Sequence, residues 1–505
     1  RHGKTGYLED EGIEYQGSML VHMGNESLKV GYHLGVENGV KYYFLHHFDY
    51  FPTPYHAGSP THQLKSIVLI AKASLELCCQ LQILPAVVIT NDWFTGLVPA
   101  YGSVRSGAFG TVFSGSTFFH LVHNLEVGYE GKIYLEGYDD LSYIHNLPRE
   151  LIIDPTVSGQ LCVNASRCAL LTSTNWGTVS LSYRQDLLTG GINPSPLRPL
   201  LCSFPRPFAH SNGIRVAKRR ELIAKVAPSH AVGKRMLQEK YFGAANPAVP
   251  VLSFVGRICE QKGVHLILNT FERLYNVYGG RVQVIVGGMA NKKDTYAAEC
   301  AWKMRAFRHR YPNSFWADPD AFFTDGPLLN IGSDYALMPS LFEPSGVVQQ
   351  EYFAAGTPVI AFKTGGLKDT VHEYSSHNPA GNGFTFESHD YTDFVNAVGR
   401  AVSAFSIDPV YEAIRKNAAA SVLDTKVVAE EWAKEFARLR KVIWTRTDPP
   451  PPQITDTAPT TTKEAPPAIA TTATTTKEAP PATATKDAPP ATTTKESTTT
   501  TASRQ

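Results

Sequence analysis

Short runs of β-branched and aromatic residues alternate with longer stretches of helical periodicity along most of the chain. The runs that predict strands lie at residues 87–89, 117–119, 251–255, 282–286, 335–338 and 358–362. Such alternation is typical of parallel sheets covered by helices on both faces. Each run is followed by polar or glycine-rich residues, and loops beyond the carboxyl ends of parallel strands build ligand sites. The pattern therefore predicts an α/β fold with two Rossmann-like sheets facing a cleft.

A proline-dense segment separates the two groups of strands. Prolines between residues 194 and 207 resist regular structure and predict a connector, with a domain boundary near residue 210. The expected units are an N-terminal domain over residues 1–209 and a C-terminal domain over residues 210–445.

The end of the chain divides into a helical part and a repetitive part. Residues 411–444 are expected to be helical, with one buried face made of Val427, Val428, Trp432, Phe436 and Leu439. Residues 446–505 hold Thr, Pro and Ala in short repeats with no aromatic residue after Asp448, and predict a disordered tail. We favour a solvated extension over a mucin-like stalk or a docking arm.

Composition narrows the class of protein. The 505 residues are 43% apolar and 18% charged, with a formal net charge of +1. No apolar run is long enough to span a bilayer, and the balanced charge favours neither a nucleic acid nor an anionic membrane as the main partner.

The seven cysteines lack the close pairing of a zinc site and are expected to be reduced thiols, so no metal is predicted. The sequence begins at Arg1 rather than at methionine, which indicates an N-terminal fragment. We expect a cytoplasmic protein, or a plastid one whose targeting segment is missing.

Two carboxylates frame the most informative segment. Glu343 precedes Pro344, Ser345 and Gly346, and Glu351 follows eight residues after Glu343. A helix beginning near Ser345 would direct its first amides at an anion and place Glu351 about two turns inside. One carboxylate could then bind sugar hydroxyls and the other a ribose. The alternative is an ordinary turn acid and a solvated helix residue.

Two further loops carry groups that suit phosphates. Arg257 and Lys262 follow a buried strand and would offer a planar fork and a point charge to a diphosphate, although an isolated pair of cations is usually solvated. Gly365 and Gly366 follow another strand and could let amides approach phosphate or sugar oxygens, but a tight turn without a ligand is equally common.

His123 closes an apolar strand in the first half, where its imidazole would face the cleft. A single histidine in such a place is more often a satisfied core residue. Serine–histidine–acid order, a Walker loop and zinc spacing are all absent from the sequence, which disfavours hydrolases, kinases and metalloenzymes.

Read together, these residues resemble the starch and glycogen synthases, retaining glycosyltransferases of family 5 with the GT-B fold. The resemblance runs through most of residues 40–445 in a constant order. The segments that carry it are residues 91–97, 123–131, 212–213, 255–263, 343–346 and 364–367.

The resemblance implies a role for each matching residue. Arg257 and Lys262 would hold the donor diphosphate, Glu343 the glucose hydroxyls, and Glu351 the ribose. His123 would support the developing oxocarbenium-like centre, and no covalent nucleophile is implied. The implied substrate-binding residues are completed by Asp92, Asn212, Ser345, Gly346, Thr364, Gly365 and Gly366.

The implied reaction transfers glucose from ADP-glucose or UDP-glucose to the non-reducing end of an α-1,4-glucan, with no cofactor besides the donor. The sequence departs from the family pattern at its first lysine and glycine loop, of which residues 4–7 are a faint echo, and at Arg215, where an acid is usual. Two alternatives stay open. One is a GT-B transferase making a sucrose-type disaccharide or an α-1,3-glucan, and the other is an inactive glucan-binding scaffold.

Overall fold

The computed structural model describes residues 12–51, 58–103, 109–191 and 196–445. Residues 4–7 and the Thr/Pro/Ala tail therefore lie outside the described residues. The described chain forms an N-terminal lobe, which holds β1 to β9, and a C-terminal lobe, which holds β10 to β15. In these ranges no helix combines the length and the apolar composition that a membrane span needs.

The N-terminal lobe has a three-stranded, a four-stranded and a two-stranded sheet. Its strands are β1 (Glu14–Met23), β2 (Glu26–Glu37), β3 (Val40–His46), β4 (Val87–Asn91), β5 (Thr117–Val122), β6 (Lys132–Tyr134), β7 (Cys162–Asn164), β8 (Asn175–Thr178) and β9 (Phe208–Ala209). Its helices are α1 (Pro60–Gln80), α2 (Val98–Ser103), α3 (Ser142–His145), α4 (Arg149–Ile152), α5 (Ala165–Thr172), α6 (Leu181–Thr189) and α7 (Arg198–Cys202), with 3₁₀ turns at Trp93–Thr95 and Val127–Tyr129.

The C-terminal lobe has one six-stranded sheet. Its strands are β10 (Val251–Val255), β11 (Gln283–Gly287), β12 (Phe315–Asp318), β13 (Tyr335–Met338), β14 (Val359–Phe362) and β15 (Gly383–Phe386). The helices of this part of the chain are α8 (Val216–Val226), α9 (His230–Phe242), α10 (Val264–Val277), α11 (Thr295–Arg310), α12 (Gly326–Gly332), α13 (Val348–Ala354), α14 (Gly365–Thr370), α15 (Tyr391–Phe405), α16 (Asp408–Ala420) and α17 (Thr425–Thr445), with a 3₁₀ turn at Glu260–Lys262.

An antiparallel sheet that the sequence analysis did not predict opens the described chain. In β1, Met19 and Val21 are buried whereas Leu20 between them is 60% exposed. This alternation with period two is that of a sheet with one face on the core. The buried face belongs to the same apolar cluster as Leu64 of α1.

The four-stranded sheet of the N-terminal lobe is parallel, in the order β4-β5-β8-β9. Its strand β5 is buried on both faces, which explains why its apolar residues do not alternate with exposed polar ones. On one face Phe118 joins the core of the lobe, and on the other Phe119 packs 5.5 Å from Trp432 and 5.4 Å from Phe436, between ring centroids. The last helix, α17, thus covers the N-terminal sheet.

The six-stranded sheet is parallel throughout, in the order β12-β11-β10-β13-β14-β15. Counted from β10, this is the 3-2-1-4-5-6 order of a doubly wound fold, in which the order reverses between β10 and β13. The predicted strands therefore exist and are parallel, and the predicted α/β fold class is confirmed.

The helical expectation for residues 411–444 holds over most of that range. Two helices occur, α16 and α17, because residues 421–424 leave the helical path. Asp424 there forms a β-bridge with Ile214, in the segment that connects the lobes. Val427 is 48% exposed although it was assigned to the buried face. Consecutive helical residues point about 100° apart, and here Val428 is buried whereas Val427 points to solvent.

The face of α17 that packs on the sheet also includes an unpredicted acid. Glu435 is 4% exposed and accepts hydrogen bonds from Arg438 Nη2 at 2.6 Å and Asn175 Nδ2 at 3.4 Å.

The proline-dense connector is more regular than expected. Helix α7 forms within it, with Pro199 in its first turn. A proline is tolerated there because a first-turn N–H has no intrahelical partner.

Candidate functional site

The loops that follow β10 and β13 meet where the strand order reverses. The two strands are neighbours, with Ser253 opposite Ala336. Beyond them Leu341 N donates to Gln261 O at 2.9 Å, and Gln261 Nε2 donates to Phe342 O at 3.1 Å. A crevice at such a switch point is the usual ligand site of an open α/β sheet. These hydrogen bonds hold the two loops in one arrangement.

Lys262 and Glu343 form an ion pair at this point. Their side chains are only 19% and 10% exposed, and Ser340 Oγ donates to the same carboxylate oxygen at 3.0 Å. A carboxylate this far from water depends on its partner, since losing one member of a buried pair leaves an uncompensated charge. The structure thus brings together two of the residues predicted to hold a nucleotide sugar.

Arg257 lies on the same loop but outside this pair. Its side chain is exposed, and Nη2 donates to Gln261 Oε1 at 3.2 Å. Arg257 and Lys262 therefore approach the crevice from one loop, with Lys262 inside and Arg257 on the solvent side.

The paired glycines lie directly against the loop that carries Glu343. A Cβ on Gly365 would fall 2.1 Å from Glu343 O, and one on Gly366 would fall 2.1 Å from Ser345 O, so neither position admits a side chain. Gly366 N already donates to Glu343 O at 2.9 Å. The tight packing explains both glycines, and it leaves the Gly366 amide unavailable to the phosphate or sugar oxygens considered above.

Thr364 precedes these glycines and is 3% exposed. Its hydroxyl has no hydrogen-bond partner among the described residues. Buried hydroxyls are normally satisfied, so this one suits a ligand oxygen.

The helix after Glu343 begins later than expected. Gly346 has a φ of +68°, in the left-handed region, and α13 starts only at Val348. Glu351 therefore lies in the first turn of α13, not two turns inside. The expected anion site on amides near Ser345 is absent, since Ser345 lies in the loop, where its Oγ accepts from Asn212 N at 3.2 Å.

His123 follows β5 and is held by residues at the end of β4. Its Nε2 lies 2.9 Å from Asn91 Oδ1, and its backbone N donates to Asp92 Oδ1 at 2.7 Å. Because the amide oxygen can only accept, Nε2 carries the proton in this arrangement. Asp92 thus fixes the backbone of this segment, since the same carboxylate oxygen also accepts from Asn124 N at 3.3 Å. Burial raises the pKa of the Asp92 carboxyl, and the hydrogen bond from His123 opposes that rise.

A second histidine, not singled out in the sequence, lies three residues earlier. His120 is fully buried, and its Nδ1 is 2.9 Å from Thr90 Oγ1. Burial, aided by the nearby His123, lowers the pKa of His120 to about 3. His120 is therefore a neutral core residue at neutral pH.

Within the described ranges, no group of three or more His, Cys, Asp and Glu side chains could hold a metal ion. All seven cysteines are free thiols.

Comparison with known proteins shows to which family the chain belongs. The profile of the starch synthase catalytic domain matches residues 6–194, and that of glycosyl transferases group 1 matches residues 239–420. A glycogen synthase of Desulfitobacterium hafniense is 27% identical over 418 residues, which are 80% of this chain and 81% of that protein. One of Halorhodospira halophila is 30% identical over 336 residues, 64% of this chain and 65% of that protein. This chain belongs to the starch and glycogen synthase family.

Similarity to solved structures identifies the fold of the synthase. The catalytic domain of starch synthase IV from Arabidopsis thaliana, bound to ADP and acarbose, superposes with a TM-score of 0.73 at 19% identity, covering 85% of this chain and 88% of that one. Sucrose-phosphate synthase from Thermosynechococcus elongatus gives a TM-score of 0.51 at 16% identity, covering 77% and 82%. The predicted GT-B fold, family and class of enzyme, a hexosyltransferase, are confirmed.

Sequence reasoning missed the tyrosine that links the two halves of the synthase site. Tyr183 of α6 accepts a hydrogen bond from Leu125 N at 2.8 Å, two residues after His123. Its ring packs edge-on against Phe342, 5.4 Å between centroids and next to Glu343. A tyrosine on a helix gives no signal that it spans a cleft, so only the fold reveals this contact.

Other contacts join the lobes around the same place. Ser180, which caps α6, also donates to Pro344 O. Ser182 donates to Asp369 through its hydroxyl at 2.5 Å and its amide at 3.0 Å. The loops that carry Glu343 and the paired glycines are thus both tied to the N-terminal lobe.

Proposed function

We propose that this synthase transfers glucose from ADP-glucose or UDP-glucose to the non-reducing end of an α-1,4-glucan, with retention of configuration at the anomeric carbon. The observation that carries the proposal is the Lys262–Glu343 pair at the strand-order reversal, between loops that are tied to the lobe holding His123. Support for the substrates comes from the glycogen synthases that align along most of this chain and from the fold neighbour bound to ADP and acarbose.

Lys262 and Arg257 would bind the donor diphosphate and stabilise the negative charge that develops on it as it leaves. Lys262 exchanges part of its contact with Glu343 for the phosphate. Glu343 then accepts hydrogen bonds from glucose hydroxyls, held in place by Ser340.

In the transfer, the bond from the anomeric carbon to the phosphate oxygen breaks and its electron pair leaves with the nucleoside diphosphate. The acceptor hydroxyl oxygen bonds to the same carbon on the face that the phosphate leaves, and its proton passes to a departing phosphate oxygen. His123 would lie against the sugar with its Nε2 fixed by Asn91.

The experiment supplies the full chain with ADP-glucose or UDP-glucose, labelled in the sugar, together with glycogen. Growth of labelled polymer from either donor supports the proposal and identifies the nucleotide. A small labelled product would indicate another GT-B transferase, whereas glycogen binding without turnover would indicate a scaffold, and either result would contradict it.

A further inference from the structure

Arg219 of α8 extends toward α12 and α13 and holds two acceptors at once. Its Nη2 donates to Glu351 Oε2 at 2.7 Å and to Asn330 Oδ1 at 2.5 Å, and its Nε donates to the same amide oxygen at 3.1 Å. The side chains of Arg219 and Glu351 are 18% and 31% exposed, and Asn330 is fully buried. A guanidinium bound in this way has a fixed plane, and it fixes the orientation of the carboxylate.

The topology places this cluster at the ligand edge of the sheet. Helix α12 runs from the carboxyl end of β12 to the start of the parallel strand β13, so its first residue, Gly326, lies at the carboxyl edge. Arg219 Nη2 is 3.5 Å from the position that a Cβ on Gly326 would take. Glu351 lies in the first turn after the Glu343 loop, at the same edge.

The cluster also leaves hydrogen-bonding groups unused. Asn330 Nδ2 is buried and has no partner among the described residues, although an unsatisfied buried polar group costs about 1–3 kcal/mol. Glu351 Oε1 and Arg219 Nη1 likewise have no hydrogen-bond partner in the described part of the chain. Two donor nitrogens and one acceptor oxygen therefore remain for a polar ligand.

We propose that Arg219 is a positioning residue for the donor nucleoside: it orients the Glu351 carboxylate so that Oε1 accepts from the ribose hydroxyls. The inference rests on the proposed function, together with the ribose-binding role that the family resemblance implies for Glu351. Asn330 acts with Arg219, since its oxygen anchors the guanidinium.

Because Glu351 carries a charge, the inference also predicts that nucleotide binding depends on pH. Burial raises the pKa of this carboxyl, and the positive charge of Arg219 lowers it. Arg219 faces it from α8, the neutral Asn330 lies beside Arg219 on α12, and Tyr352 is its neighbour on α13. Without Arg219 only the raising influence remains, and a protonated carboxyl accepts the ribose hydroxyls less well. The resulting loss of affinity would grow as the pH falls.

The test measures calorimetric binding of ADP and UDP, and of their 2′,3′-dideoxy forms, to the full chain. We expect Arg219→Met to weaken binding of the bound ribonucleotide about tenfold, the scale of one charge-assisted hydrogen bond, and to leave the dideoxy form unchanged. The loss should shrink as the pH is raised. Arg219→Lys keeps the charge without the planar fork, so its affinity for the ribonucleotide should lie between those of the unaltered chain and Arg219→Met. This variant also tests the inference if Arg219→Met does not fold.

The matched control is Arg220→Met, on the same helix, whose guanidinium donates to the carbonyl oxygens of Ala354 and Ala419. Equal losses for ribo and dideoxy forms, or equal effects of the two arginines, would overturn the inference and leave the proposed function intact. If the unaltered chain binds neither ribonucleotide, the proposed function fails and the inference falls with it.

Discussion

The two parallel sheets hold their candidate residues in different ways. In the C-terminal lobe the strand order reverses between β10 and β13, and the loops that meet there bring opposite charges into contact, Lys262 against Glu343. In the N-terminal lobe β5 has parallel neighbours on both sides, and His123 after it is held by an amide and by the Asp92 carboxylate acting on the backbone. Substitutions in the two lobes should therefore have different effects. Loss of charge should dominate in the C-terminal lobe, and loss of side-chain position should dominate in the N-terminal lobe.

The largest effect is expected at Lys262. Lys262→Met removes the cation at the leaving group and leaves Glu343 without its partner, so kcat/KM for the nucleotide sugar should fall about 1000-fold. Steady-state kinetics would measure the loss, with thermal unfolding to check the fold. The control is Lys225→Met, which breaks an exposed pair with Glu221 and should cost little. Activity within tenfold of normal would remove the charge pair from the proposed mechanism.

The next effect tests position in the N-terminal lobe. His123→Ala should lower kcat about 100-fold with a smaller change in donor KM, because the ring acts on the sugar as it reacts. Asp92→Asn keeps an oxygen that can accept from the His123 amide and should therefore retain most of the activity. If Asp92→Asn were as damaging as His123→Ala, the Asp92 charge itself would be required, and the contrast between the lobes would weaken.

A third test uses pH and the buried His120. Its folded pKa of about 3 is below the ordinary 6.5, so the unfolded chain binds an extra proton between those values and the folded chain does not. Its contribution to stability is complete above pH 6.5 and is lost as the pH falls toward 3, by up to about 1.4 kcal/mol per pH unit. His120→Leu should flatten the dependence of unfolding free energy on pH in this window, measured by urea titration. An unchanged slope would show that other groups cause it.

The smallest effect is expected at Tyr183, whose hydroxyl holds the segment after His123 while its ring contacts the C-terminal lobe. Tyr183→Phe keeps the ring against Phe342 and removes only the acceptor of the Leu125 amide, so it should cost about 1–2 kcal/mol of stability and a severalfold loss of kcat/KM. Tyr391→Phe, which removes a hydroxyl that accepts from Asn269 on an exposed surface, is the control. Equal outcomes for the two tyrosines would show that the hydrogen bond between Leu125 and Tyr183 contributes nothing to turnover.

The sequence was most informative where buried strands end. A strand covered on both faces reads as an unbroken apolar run, and the change to glycine or polar residues marks its carboxyl end, which located Arg257, Lys262 and Glu343. It was less informative where a backbone torsion decides. Gly346 adopts a left-handed conformation, so α13 begins later in the chain, and the residues around Gly346 do not predict this later start.

Contacts between distant segments were also beyond the sequence. Arg219 and Glu351 are 132 positions apart, and Leu125 and Tyr183 are 58 apart. Arg219, Glu351 and Tyr183 each resemble an ordinary helix residue, so these pairings become visible only when the chain is folded.

The polypeptide passes between the lobes twice, and the two passages are hydrogen-bonded to each other. Ile214 N donates to Leu423 O at 2.9 Å, and Thr425 N donates to Ile214 O at 3.0 Å. Any opening of the cleft must therefore rotate the lobes about these two hydrogen-bonded segments rather than about a single flexible linker. A chain cut short before Leu423 would keep every residue proposed for catalysis and yet lose both of these hydrogen bonds and the helix that shields Phe119. Its loss of activity would come from the lost support of the lobes, not from a missing reactive group.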